Sequence, residues 1–255
     1  MLNKALALDD TLPEAYHLLA AIKLYYNRDW PDAERAFHRS AELDPNSAET
    51  PDHYSFFLAF FGRNQEALAQ TERASELDPL SPGLNLNRGR LLFFLRDYDR
   101  AIDQFKKTLE LHPGYAAAHE FLGHVYEKKG MGSEAIAEWS KALTLSEGED
   151  ALALQDTYRR SGFEAAVREL AQKKLERLNQ KAARGEYVPA MEFLLAHVRA
   201  GDREQAFASL AKAIDERNYF AFEIRINPIL DPLRGDPRFE ALVQKAFAPK
   251  NASSP

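Results

Sequence analysis

Glu42-Leu43-Asp44-Pro45, Glu76-Leu77-Asp78-Pro79 and Glu110-Leu111-His112-Pro113 set three prolines in the same local surroundings, 34 residues apart. A fixed period of this size marks a row of similar units, each burying its apolar face against its neighbours. Twelve residues before each proline stand Ala33, Ala67 and Ala101, and eight before stand Phe37, Thr71 and Phe105. Several positions therefore recur in register. Each proline ends its unit because it cannot continue a helix and pushes its predecessor out of the helical region.

Within the units the apolar period is helical. Ala101, Ile102, Phe105, Leu109 and Leu111 fall largely along one stripe of the stretch from Asp99 to Leu111, and no run of alternating β-branched residues competes with that reading. Small residues, Gly89 in one unit and Gly123 in the next, allow two helix backbones to approach closely, and the alanine twelve before the proline does the same from the second helix. The order of Leu122-Gly123 with Tyr126, a turn glycine (Gly62, Gly130), then alanine, aromatic and proline resembles the tetratricopeptide repeat family. The resemblance covers most of residues 1–217 and implies an all-α, right-handed solenoid of antiparallel helix pairs with C-terminal capping helices. At ~34 residues per pair the chain should hold about thirteen helices or more and no sheet.

Composition agrees with a packed helical protein. Of 255 residues 45% are hydrophobic and 28% charged, too interrupted for a membrane span, and Met1-Leu2-Asn3-Lys4-Ala5 lacks the apolar core of a signal peptide. Cysteine is absent, which excludes disulfides and thiolate metal sites and is compatible with a cytoplasmic location. A net charge of -6 and a pI near 5.7 argue against a nucleic-acid footprint. Lys4-Ala5-Leu6-Ala7-Leu8 reads as the end of a second helix, like Lys141-Ala142-Leu143-Thr144-Leu145. The chain therefore starts in mid-repeat, and a further domain or more repeats are expected upstream in the natural chain.

After that partial unit (1–12), units are expected near 13–45, 48–79, 82–113 and 116–147, followed by a degenerate unit at 150–184 and a sixth at 187–217. The first has one extra residue around Leu24-Tyr25-Tyr26-Asn27, and Pro31 is well placed in the first turn of its second helix. In the sixth, Gly201-Asp202 forms the turn, with Ala206, Leu210 and Ala213 on the buried face. The tail, 218–255, should close the row, with Asp231-Pro232 and Asp236-Pro237 each opening a short helix from an aspartate cap. This tail looks like the closing segment of repeat regions in bacterial signalling proteins, where the repeats follow a DNA-binding, kinase or nucleotide cyclase domain. The resemblance gives an alternative function, a sensory segment of such a regulator.

In this architecture the first helix of each pair lines a concave groove. The positions that face it in units two to four are Asp52, Phe56, Ala59 and Phe60; Leu86, Arg90, Phe93 and Phe94; and Glu120, His124, Glu127 and Lys128. An aromatic lining with a few charges suits an extended peptide or an amphipathic helix; the competing account packs the phenylalanines between repeats. Relatives that grip a C-terminal carboxylate use Lys, Asn and Arg across three units. Here Asn87 and Arg90 alone stand in the matching places, and Asp52 and Glu120 would repel a carboxylate. His119-Glu120-Phe121-Leu122-Gly123-His124 is no zinc motif, because histidines five apart lie about 140° apart around a helix. One should face the groove and the other a repeat interface. No nucleophile elbow or phosphate loop is present, so the expected function is a protein-binding scaffold without catalysis, cofactor or metal, and with no nucleic-acid or membrane contact.

Overall fold

The computed structural model describes residues 2–146, 151–216 and 219–249. Among them there is no strand, and fourteen α-helices follow one another. After α1 (Leu2–Leu8) come six helix pairs: α2 (Pro13–Ile22) with α3 (Trp30–Leu43), α4 (Glu49–Phe60) with α5 (Asn64–Leu77), α6 (Pro82–Phe94) with α7 (Tyr98–Leu111), α8 (Ala116–Lys128) with α9 (Gly132–Ser146), α10 (Ala151–Ser161) with α11 (Phe163–Ala183), and α12 (Ala190–Ala200) with α13 (Arg203–Glu216). Two 3-10 segments, Tyr219–Arg225 and Pro228–Leu233, lead to α14 (Pro237–Ala246). The all-helical solenoid read from the repeat period is the fold observed.

The small residues act as expected. A Cβ added to Gly89 would overlap the ring of Phe105, and one added to Gly123 would overlap the indole of Trp139. Each aromatic comes from the second helix of the same pair, so the missing side chain sets how closely the pair packs. Ala33, Ala67 and Ala101 are fully buried at the matching positions of the second helices, as are Ala206, Leu210 and Ala213 in the sixth pair.

The extra residue of the first unit has a definite structural form. Residues Lys23–Asn27 make one turn of π-helix at the end of α2, which accommodates one residue more than an α-turn. The following turn is thereby brought into the common register. Residues 28, 62, 96 and 130, again 34 apart, all take the left-handed conformation: Arg28 (φ 52°), Gly62 (78°), Arg96 (64°) and Gly130 (72°).

The tail departs from expectation at one point. Asp236 does cap α14, accepting from Arg238 N at 2.9 Å, with Pro237 in the first turn. Asp231 caps nothing. It lies inside the second 3-10 segment, which is capped by Asn227 through a 3.0 Å bond from Ile229 N; the Asn227-Pro228 pair starts the segment one turn earlier and leaves the Asp231 carboxylate free to receive arginines.

Candidate functional site

α4, α6 and α8 stand side by side as the first helices of units two to four and carry the residues expected to line the groove. These residues are not open to solvent. Phe56, Phe60 and Phe93 are fully buried, and Phe94, Asp52, Leu86 and His124 nearly so. Glu120 alone of the candidates projects into solvent, and Lys128 is half-buried.

Phe93 packs between repeats, on Tyr98 of α7 and Phe121 of α8, whereas Phe60, Arg90 and His124 are covered by the C-terminal tail and α12. Phe222, in the first 3-10 segment, sits between Tyr25, Trp30, Phe60 and Phe247, with ring centroids 5.7, 5.6, 5.9 and 5.2 Å away. The next residue, Glu223, accepts a 2.6 Å hydrogen bond from Arg90 Nη2, and both side chains are buried. Arg225 donates to the Phe60 carbonyl at 3.3 Å. Farther along the groove Arg199 of α12 donates to His124 Nδ1 at 2.9 Å and to Glu127 at 2.7 Å, its guanidinium 4.4 Å from the Trp139 ring.

At the middle of the groove, polar groups form a chain. Asn87 donates to Asp52 Oδ2 at 2.7 Å and accepts from Arg90 Nη1 at 3.0 Å. Arg90 lies 5.3, 5.8 and 5.4 Å from the ring centres of Phe56, Phe94 and Phe121, a cation held by aromatic faces. Burial pushes the Asp52 carboxyl up to about 6, against the pull of Asn87 and Arg90. Burial likewise raises Glu223, again opposed by Arg90, and holds His124 well below its ordinary value, with Arg199 acting in the same direction. Each of the two arginines gives one N–H to a carboxylate inside the molecule, Arg90 to Glu223 and Arg199 to Glu127.

The histidine motif separates as its spacing requires. His119 packs at the α8–α9 interface, with Nδ1 2.5 Å from Glu138 and Nε2 3.1 Å from the Pro113 carbonyl, while His124 meets Arg199 of α12 and the Trp139 ring. Several participants were not legible from repeat offsets: Tyr25 and Trp30 from unit one, and Phe222, Glu223 and Asp231 from the tail. A signal for part of this set stood in the register. Arg28 and Arg96 occupy turn positions filled by glycine in the other two units, and both reach the tail: Arg28 donates to the Lys245 carbonyl at 2.7 Å, and Arg96 donates twice to Asp231, at 2.7 and 2.8 Å.

A cavity of about 390 Å³ opens beside the closed groove, lined by Gly62, Asn64 and Phe94 together with Arg96, Arg225 and Arg234. No helix among the described residues is long and apolar enough to cross a membrane.

The tetratricopeptide repeat model matches residues 86–151, which span units three and four. Human tetratricopeptide repeat protein 13 is 33% identical over 105 residues, 41% of this chain but only 12% of that protein. Among solved structures, PilW, described as a type IV pilus biogenesis factor, superposes with a TM-score of 0.53 at 19% identity over 86% of this chain and 84% of its own. PilF of Pseudomonas aeruginosa gives 0.52 at 18% identity over 91% and 96%; at such identities these two speak to the fold alone. The 34-residue register, the stacked helix pairs and the matching repeat model agree: the fold is a tetratricopeptide repeat superhelix, with the family's repeat matched over residues 86–151.

Proposed function

We propose that the protein is a protein-interaction scaffold that holds a short peptide or helix of its partner in the concave groove of units two to four, without catalysis of its own. One observation carries the reading: the groove already holds a short segment, the 3-10 turn around Phe222-Glu223, through an aromatic pocket and one arginine. Rigid rings give contact area at low entropic cost and a buried arginine gives direction. The groove residues are those named from the repeat offsets: Asp52, Phe56, Phe60, Leu86, Arg90, Phe93, Phe94, Glu120, His124 and Lys128. The acidic net charge accords with a protein partner rather than nucleic acid, and the absence of cysteine with a cytoplasmic setting. A regulatory segment of a larger bacterial protein would use the same groove to receive its signal.

A peptide-display selection on the full chain, followed by hydrogen-exchange mapping of the selected peptides, tests the reading. Protection should concentrate on α4, α6 and α8. Footprints on the second helices α5, α7 and α9 would place the partner on the convex face and overturn it.

A further inference from the structure

We infer that the groove reads a two-residue signature, an aromatic side chain followed directly by a glutamate, and that Phe222-Glu223 is a copy carried in the chain itself, which an incoming peptide of the same chemistry must displace. The inference rests on the groove being the partner site.

The two subsites are distinct. Phe222, 2% exposed, fills a pocket of which three walls, Tyr25, Trp30 and Phe60, come from units one and two. Successive residues of a 3-10 helix point about 120° apart, so Glu223 leaves that pocket and meets Arg90 at 2.6 Å. Arg90 is positioned before any ligand arrives, by Asn87 and by the faces of Phe56, Phe94 and Phe121. Its Nε is buried without a hydrogen-bond partner, so the guanidinium holds donor capacity that the Glu223 carboxylate does not use.

Closing the row does not require this arrangement. Phe239 of α14 is buried against the sixth pair with Leu194, Leu210 and Ile214, and Ile224, Leu230 and Leu233 complete this cover of the solenoid's end, a cluster separate from the one that holds Phe222. The detour of the tail into the groove buries a carboxylate and a guanidinium together, where apolar side chains of similar size would often be as stable or more so. Such a pair discriminates between ligands better than it stabilises a fold. Because the occupant is tethered, it competes at high effective concentration, and a free peptide sees only the fraction of molecules whose groove is open.

The test uses the full chain and a fluorescent peptide, Phe-Glu-Ile-Arg-Ile-Asn-Pro, which copies residues 222–228, with two controls in which its phenylalanine is replaced by alanine or its glutamate by glutamine. Anisotropy should show weak binding to the parent and binding at least about tenfold tighter to the Phe222→Ala/Glu223→Gln variant, whose own segment no longer competes. Each control peptide should lose about tenfold or more on that variant. A folded variant that ignores the peptide, or that binds all three alike, overturns the inference. Should the double variant fail to fold, hydrogen exchange on the parent decides: saturating peptide should speed exchange across 222–233, and unchanged exchange overturns it. If display-selected peptides protect α4, α6 and α8 yet lack an aromatic-acidic pair, the signature falls and the groove stands. If they protect other surfaces, both fall.

Discussion

At the residue scale, the solenoid is set by what is missing at Gly123 and by what replaces glycine at position 96. The Trp139 ring occupies the space a Cβ would need at Gly123, and the indole is fixed by a 3.2 Å bond to the Glu120 carbonyl. Gly123→Ala must therefore push α8 from α9 and should cost about 1–3 kcal/mol, read as a lowered denaturant midpoint at unchanged slope; an unchanged midpoint would refute the close approach. Gly123 was legible in the sequence because a small residue recurred in register with Gly89. Arg96 is the opposite case. Its backbone is left-handed (φ 64°), which costs a non-glycine residue about 1–2 kcal/mol, and its side chain regains part of this through the two bonds to Asp231. That pair is partly exposed, so its net worth is about 1 kcal/mol or less. Arg96→Ala keeps the strain and loses the pair, whereas Arg96→Gly loses both. The glycine variant should melt above the alanine variant by about 1 kcal/mol equivalent in calorimetry, and an alanine variant as stable as the glycine one would show that the turn is not strained.

At the scale of elements, the inner faces of α4 and α6 and the first 3-10 segment meet through Asp52, Asn87, Arg90 and Glu223. The sequence placed α4 and α6 as first helices of their pairs because their offsets from the repeat anchors are fixed. The segment's destination was invisible, since no period links residue 223 to residue 90; only tertiary packing does. The same limit explains Asp231: an aspartate before a proline is a good cap locally, but Asn227 starts the turn first and the carboxylate is recruited by Arg96 and Arg234. Burial of Asp52 gives a measurable pH signature. Its folded value is raised to about 6, so its contribution to stability is fully present below the unfolded value near 4 and is lost as pH rises through about 6. Above that, ionised Asp52 costs up to about 3 kcal/mol. Asp52→Asn keeps an acceptor for Asn87 without the charge, so it should stabilise the protein by about 1–3 kcal/mol at pH 7.5 and change little at pH 4, as followed by thermal melts. A variant weaker than the parent at pH 7.5 would mean that attraction to Arg90 outweighs burial.

At the scale of the whole molecule, the tail changes what kind of repeat protein this is. In an open row each unit touches only its neighbours, so stability is lost or gained locally. Here Phe222 packs on Tyr25 and Trp30 of unit one, Phe247 on Phe61 of unit two, and Arg28 donates to the Lys245 carbonyl. The two ends of the chain are thus joined across the concave side. The sequence shows the repeat order because order is periodic; it does not show this closure, which depends on a single non-repeated segment and on Phe60 being more stable beneath it than in water. A chain ending at Glu216 separates the two descriptions. Loss of the tail strips Phe60 of Phe222 and leaves Arg90 without Glu223, so the groove rings gain solvent exposure and should bind an apolar dye such as ANS. Hydrogen exchange should quicken in α4 and α6 as well as in α12 and α13, although α4 lies more than a hundred residues from the cut. An open row predicts quickening near α13 alone. Loss of protection confined to α12 and α13, with no dye bound, would show that the groove rings hold their places by packing between repeats and that the tail merely rests on them.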